Sequence, residues 1–262
     1  MIRRFRQYLA PRFDPPAATV PEGQRVYAVG DVHGRLDLFE TLIDKIEADD
    51  SARGPADTTV VLLGDLVDRG PDSAGVIDAA RAWGSRRNVR LLAGNHEEMF
   101  LDSLHRIETL RHFLRYGGRE TVLSYAIDRA HYAEWTLEEL QQQMRRVVPV
   151  AHREYLAAGE DAIRIGDYLF VHAGIRPGVA LEDQKASDMR WIRDRFIEHD
   201  GDHGFVVVHG HTITDEVEER HNRIGIDTGA FMSGRLTAVG LEGAERWFLT
   251  AEGAPGEGPF AP

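Results

Sequence analysis

The chain repeatedly runs an apolar, strand-forming stretch into a short polar turn, and this repetition constrains the fold more than any other feature. Arg25-Val26-Tyr27-Ala28-Val29-Gly30 runs into Asp31-Val32-His33-Gly34. Thr58-Thr59-Val60-Val61-Leu62-Leu63 runs into Gly64-Asp65-Leu66-Val67-Asp68-Arg69-Gly70, and Val89-Arg90-Leu91-Leu92-Ala93 into Gly94-Asn95-His96-Glu97. Later, Tyr168-Leu169-Phe170-Val171 leads to His172-Ala173-Gly174, and Phe205-Val206-Val207-Val208 reaches Gly210-His211-Thr212 after one further residue. Apolar runs without alternation mark strands buried on both faces. Between the first three runs, Leu38, Leu42, Ile43 and Ile46, then Val76, Ile77 and Ala80, recur at helical spacing. This βαβαβ order predicts an α/β fold with a mostly parallel sheet under helices. The polar turns then gather beyond the carboxyl ends of the strands.

The rest of the chain fills in that plan. From Glu97 to about Arg164 the pattern is helical and polar, with Leu137 to Arg146 its clearest helix and Pro149 a break after it. This stretch, about residues 97–165, is read as a helical insertion, because strands resume beyond it. Arg223 to Asp227, Leu236 to Leu241 and Arg246 to Leu249 read as a closing antiparallel set. The expected organisation is a basic tail over 1–22, one domain over 23–250 built as a two-sheet sandwich flanked by helices, and a disordered Gly/Pro-rich tail over 251–262. A length of 262 residues suits one large domain.

Composition removes several classes of function. A net charge of -12 argues against binding nucleic acid by phosphate neutralisation. With no cysteine, the chain has no disulfide, no thiolate zinc site and no cysteine nucleophile. No apolar run approaches a membrane span, and the basic N-terminus lacks the apolar core of a signal peptide. The expected location is the cytoplasm.

The turns carry oxygen and nitrogen donors suited to two adjacent divalent ions and to hydrolysis at phosphorus. In an extended segment residues two apart point the same way, so Asp31 and His33 can grip one ion. Asp65, with two oxygens, can bridge two ions. Asn95 offers an amide oxygen, and His172 and His211 each follow a strong strand. His96 lies beside Asn95 without needing to bind metal, and an imidazole there can protonate a leaving alkoxide. Asp68 can hold that imidazole charged and oriented. Arg69 can clamp a phosphoryl group from the same turn as Asp65.

Taken together and in this order, the five motifs resemble the phosphoprotein phosphatase family of the calcineurin-like metallophosphoesterases. The resemblance covers roughly residues 25–230 and implies the αββα metallophosphoesterase fold. It implies Asp31, His33 and Asp65 on one ion, and Asp65, Asn95, His172 and His211 on the other. Attack by a metal-bridging hydroxide is implied, with His96 and Asp68 as the acid pair. Arg69, Asn95 and a second arginine would meet the phosphate. Within Met189-Arg190-Trp191-Ile192-Arg193-Asp194-Arg195-Phe196 that arginine is taken as Arg193, with Arg190 and Arg195 as rivals. The implied cofactors are two divalent ions, Mn²⁺ first, with Fe or Zn²⁺ as substitutes. His209 has no counterpart in the pattern and is read as structural.

The expected activity is dephosphorylation of phosphoserine and phosphothreonine proteins, as in bacterial-type Ser/Thr phosphatases. The alternative is hydrolysis of diadenosine tetraphosphate, whose enzymes share the metal loops. Two features place the phosphoprotein reading first. Close relatives in the tetraphosphatase group carry Ala where this chain has Asp68, and net acidity disfavours a substrate with four phosphates.

Overall fold

The computed structural model describes residues 17–256, so the expectations for most of the basic tail and for the last six residues lie outside the described residues. The first half alternates strand and helix: β1 (Gln24–Val29), α1 (Leu36–Arg53), β2 (Asp57–Leu62), α2 (Ser73–Gly84) and β3 (Asn88–Leu91). Helices then follow: α3 (Asn95–Ser103), α4 (Ile107–Phe113), α5 (Arg119–Ser124), α6 (Leu137–Val147) and α7 (Val150–Ala157). A π-helical turn over Leu114–Gly118 joins α4 to α5. The second half holds β4 (Ala162–Ile165), β5 (Tyr168–Val171), α8 (Ala186–Trp191), α9 (Asp194–Ile197) and β6 (Val206–His209). It closes with β7 (Glu218–Glu219), β8 (Arg223–Gly225), α10 (Ala230–Ser233), β9 (Arg235–Glu242) and β10 (Glu245–Glu252).

These strands form two five-stranded sheets, ordered β10-β9-β1-β2-β3 and β4-β5-β6-β8-β7. β1, β2 and β3 pair parallel, and the antiparallel β9–β10 hairpin joins at β1. In the second sheet β5, β6 and β8 pair parallel, with β4 and β7 antiparallel at the edges.

Side-chain alternation shows the layering. Val26, Ala28, Val61 and Leu63 face Tyr168, Phe170, Val208 and Ile226 in a core between the sheets. Tyr27, Val29, Val60 and Leu62 point the other way, into a core with Leu42, Ile46, Val76 and Trp83 of the first two helices. Leu169, Val171 and Val207 pack outward on Met189 and Phe196. The central strands are therefore apolar on both faces because each face meets a different layer. This is an α/β fold of two mixed sheets flanked by helices.

Three local expectations are corrected. Arg223 to Asp227 does not join the closing antiparallel set: β8 pairs parallel with β6 in the second sheet, while β9 and β10 close the first. Alternation tells strand from helix but holds no information about the partner. Residues near Arg164 are not helical either. β4 is a short edge strand whose Ile163 enters the inter-sheet core, too brief to stand out beside the polar helices before it. β10 also runs to Glu252 with Ala251 buried, two residues into the stretch read as tail.

Candidate active site

The parallel strands end on one side of the molecule, and their turns converge there. The backbone at this point is unusual. Among the described residues, the non-glycine positions with positive φ are His33, Asp65, Asp68, Arg69 and His211, at 47°, 51°, 75°, 69° and 63°. Each of them is a candidate site residue on sequence grounds. Left-handed backbone at such residues costs of order 1–3 kcal/mol each and persists only where the surroundings over-determine it.

Those surroundings include two glycines that allow close approach. A Cβ at Gly94 would collide with the Asp65 backbone and carboxylate, and one at Gly210 with Asp31 Oδ1. Glu97 provides the other constraint. It is buried, and its carboxylate accepts from the backbone N–H groups of Asp65 (2.7 Å), Leu66 (2.8 Å) and Gly94 (3.1 Å), tying two turns together. Sequence reasoning gives Glu97 no role, although it ends the Gly-Asn-His-Glu motif and stands where a capping glutamate reaches back.

Backbone carbonyls fix the imidazoles. His33 Nδ1 donates to Val67 O and His172 Nδ1 to Leu63 O, both at 2.8 Å, so each presents Nε2 to the centre. His172 Nε2 lies 2.9 Å from Asn95 Oδ1 and 3.2 Å from His211 Nδ1. Donor atoms of His33, Asp65 and His96 lie within 4.8 Å of one another, as do those of Asp65, His172 and His211. Asp65 belongs to both groups.

Asp31 is placed differently from the sequence-based grouping. It joins neither triplet; its Oδ2 accepts from His211 N–H at 3.0 Å, while Oδ1 is buried without a partner. Beside it stands Asp227, also buried and with Oδ2 unpartnered. Sequence reasoning misses Asp227 as a site residue, yet Ile224-Gly225-Ile226-Asp227 carries the same strand-then-acid signature that flags Asp31 and Asp65.

The electrostatics fit a cation. Burial, Asp227 and Asp65 push Asp31 well above the carboxylate range. Burial likewise raises Asp227, to about 6. Burial pushes Asp65 upward too, but attraction to His172, His96, His33 and His211 in their protonated forms outweighs it and the net shift is downward, so Asp65 is already ionised where those imidazoles lose their protons. Burial lowers His33 and His172, and takes His211 to about 2, so their lone pairs are available at neutral pH. Orphaned carboxylate oxygens and neutral imidazoles around one ionised, doubly shared Asp make a donor set for divalent metal.

Beyond this set lies the proposed acid. His96 Nδ1 is 2.6 Å from Asp68 Oδ2. Burial lowers the imidazole, but Asp65 and Asp68 more than offset it and the net shift is upward. Asp68 is fully buried; its Oδ1 accepts from Thr121 Oγ1 at 2.6 Å, and its N–H donates to Ser73 Oγ and Thr121 Oγ1. Arg69 lies 2.8 Å from His33 Nε2 and 2.9 Å from His96 Nε2, and its N–H donates to Gly117 O. Thr121 and Gly117 both come from the helical stretch after β3, which thus forms part of the site.

Of the three candidate arginines, Arg193 reaches a motif turn, with Nη1 donating to His211 O at 3.5 Å. Arg190 is committed to Glu98 and Asp161, and Arg195, exposed like Arg193, makes no comparable contact with a motif turn among the described residues. His209 is buried against Phe196 with Nδ1 on Gly210 O, lowered by burial to about 4, and takes no part in either triplet.

The chain is similar in sequence to known proteins. A symmetrical bis(5'-nucleosyl)-tetraphosphatase of Acidovorax sp. strain JS42 is 34% identical over 163 residues, 62% of this chain and 48% of that protein. The chain thus spans about half the length of the first curated relatives it matches. The asymmetrical bis(5'-nucleosyl)-tetraphosphatase PrpE of Anoxybacillus flavithermus is 26% identical over 235 residues, 80% of this chain and 88% of that one. Serine/threonine-protein phosphatase 1 of Salmonella typhimurium is 28% identical over 228 residues, 84% and 93% of the two chains. The model of the calcineurin-like phosphoesterases matches residues 24–229, which hold every turn described above, and the chain belongs to that family.

Proposed function

We propose that this chain is a dinuclear metal-dependent hydrolase of dinucleoside polyphosphates. The observation that carries the dinuclear reading is the sharing of Asp65 between two buried donor groups. His33 and Asp65, with the unpartnered carboxylate oxygen of nearby Asp31 in place of His96, which is kept for the acid role, would hold one ion, and Asp65, Asn95, His172 and His211 the other, with Mn²⁺ the first choice of metal. When bound, such ions polarise the phosphoryl group and lower the pKa of water to yield a nucleophile. The protein's own groups do the rest. Arg69 and Arg193 orient the phosphoryl oxygens and offset their charge. His96, held by Asp68, stands ready to give a proton to a departing oxygen that needs one. Strained turns keep these groups in place without further ordering.

The substrate reading rests on the relatives. Tetraphosphatases of both the symmetrical and asymmetrical kind are among the matches, one of them along most of the chain. This reverses the order expected from the sequence, where Asp68 and net acidity place phosphoproteins first. Phosphoserine and phosphothreonine remain the second reading, favoured by the 2.6 Å contact between His96 and Asp68. An alkoxide of high pKa needs a proton to leave, whereas a nucleotide phosphate leaves without one. The Salmonella relative also matches along most of its length.

The deciding experiment loads the protein with Mn²⁺ and measures kcat/KM side by side for diadenosine tetraphosphate, phosphoserine and phosphothreonine peptides, and a small aryl phosphate. The proposal expects the dinucleotide to lead. A higher value for any phosphopeptide puts the second reading in its place and leaves the metal chemistry standing.

A further inference from the structure

Among the described residues, the large apolar side chains left most open to solvent are Tyr116, Val150, Trp191, Ile213 and Met232. Trp191, at 40% exposure, differs from the other tryptophans with a clear structural task. Trp83 is fully buried, and Trp247 lies under the Arg53 guanidinium at 3.3 Å. Among the described residues neither an aromatic ring nor a guanidinium covers the face of Trp191.

Its edge, by contrast, is held. Trp191 Nε1 donates to Glu98 Oε1 at 3.3 Å, and Arg190 of the same helix donates to Glu98 Oε2 at 2.6 Å and to Asp161. The Met189 carbonyl accepts from Ala173 N–H at 2.8 Å, pinning the end of α8 to the turn that carries His172. Glu98 lies two residues past His96, and Arg193 two residues past Trp191, with its guanidinium on the His211 carbonyl. A large, flat ring is thus tied by its indole N–H to Glu98, two residues along α3 from the proposed acid, and precedes the proposed phosphate clamp by two residues, with 40% of its surface open to solvent. Burying the indole against the core would satisfy the hydrophobic effect better. Fixing it while leaving it exposed is the arrangement of a stacking platform, on which any base finds a π-face.

We propose that Trp191 is the floor of a nucleobase subsite, stacking a base whose phosphate is held by Arg193 and the metal centre. This rests on the dinucleoside polyphosphate reading, and it assigns the end of α8 to the recognition of one nucleoside. A ring without hydrogen-bond readout accepts purines with little discrimination among them.

The test uses the Mn²⁺-loaded protein, a small aryl phosphate as reporter, and AMP, ribose 5-phosphate and inorganic phosphate as competitive inhibitors. AMP is expected to inhibit more tightly than ribose 5-phosphate, which lacks only the base. Trp191→Ala is expected to raise the Ki of AMP about 5- to 140-fold, the worth of one stacked base, and to move the Ki of phosphate far less. Trp191→Phe should retain much of the AMP affinity. Equal changes in the Ki of AMP and phosphate overturn the subsite. If Trp191→Ala does not fold, equal Ki values for AMP and ribose 5-phosphate on the unaltered protein do the same. A change confined to phosphopeptide KM, with AMP unmoved, also overturns it and marks the ring as a peptide contact. Loss of AMP discrimination in a protein that does not cleave diadenosine tetraphosphate keeps the subsite and sinks the substrate reading. Cleavage with unaltered AMP inhibition does the reverse.

Discussion

Thr121→Val tests whether the helical stretch after β3 holds the proposed acid. Thr121 is fully buried, and its hydroxyl donates to Asp68 Oδ1 at 2.6 Å while accepting from Asp68 N–H at 2.8 Å. Valine keeps the shape and removes the hydroxyl. The N–H keeps Ser73 Oγ at 3.0 Å, so its loss is small. The carboxylate oxygen loses the one hydrogen bond it makes to the described residues. A bond to a charged group contributes about 1.5–3 kcal/mol, and an orphaned buried acceptor costs in the same range. The expected loss of stability is therefore about 2–3 kcal/mol, read as a fall in the urea midpoint of about 1 M at constant slope. Burial already pushes Asp68 upward, with the His96 and Thr121 hydrogen bonds opposing it. Removing one of these weakens the charge that holds His96, so kcat on a small alkyl phosphate should also fall. The fall should be about tenfold, well short of the 10²–10⁴ expected for losing a general acid outright. Thr121→Ser should restore both. A Thr121→Val protein within about 0.5 kcal/mol of wild type, with unchanged turnover, would show that the Thr121–Asp68 contact contributes neither to stability nor to positioning.

Three further outcomes are expected. Asp65→Asn withdraws charge from both donor groups, so bound metal measured by elemental analysis should fall well below two equivalents, with activity lost; two retained equivalents and normal turnover would sink the dinuclear assignment. His96→Asn should keep its metal and lose about 10²–10⁴-fold in kcat on an alkyl ester but less on an aryl ester, since the aryl oxide leaves unaided; equal losses would argue against the acid role. Far from the site, Asp50 accepts from Arg25 (2.7 Å), Thr58 (2.7 Å) and Arg87 (2.5 Å). Burial raises its pKa, but these bonds outweigh it and the net shift is downward. A depressed carboxylate contributes stability that is present above its unfolded pKa and lost as pH falls through the folded value. Asp50→Asn should thus cost about 2 kcal/mol at neutral pH and flatten the acid limb of the stability curve; an unchanged acid limb would remove Asp50 from that account.

Much of the catalytic layout is legible in the sequence, because it is written in local signals. An apolar run followed by Gly and a donor residue names the strand, its buried faces and the end at which the donor emerges. Asp31, His33, Asp65, Asn95, His96, His172 and His211 stand out in this way, and the structure brings their turns together. Arg193 is harder, since three arginines share one short segment; only the partners of Arg190 and the contact of Arg193 with the His211 carbonyl separate them, Arg193 and Arg195 both being exposed. Glu97 and Asp227 lie within or beside recognisable motifs, but their tasks do not show there, because their worth lies in what surrounds them.

The sequence by itself determined the long apolar strands and the first two helices, the parallel core of the first sheet and the chemistry of the donor set, since periodicity and residue type act over a few positions. Tertiary structure alone decided which sheet each late strand joins, that Asp31 turns toward His211 and Asp227, that Thr121 and Gly117 reach back to Asp68 and Arg69, and that Trp191 stays exposed. Each of these is a contact between residues distant in the chain. Its energy depends on distance, burial and competing partners that no local pattern encodes.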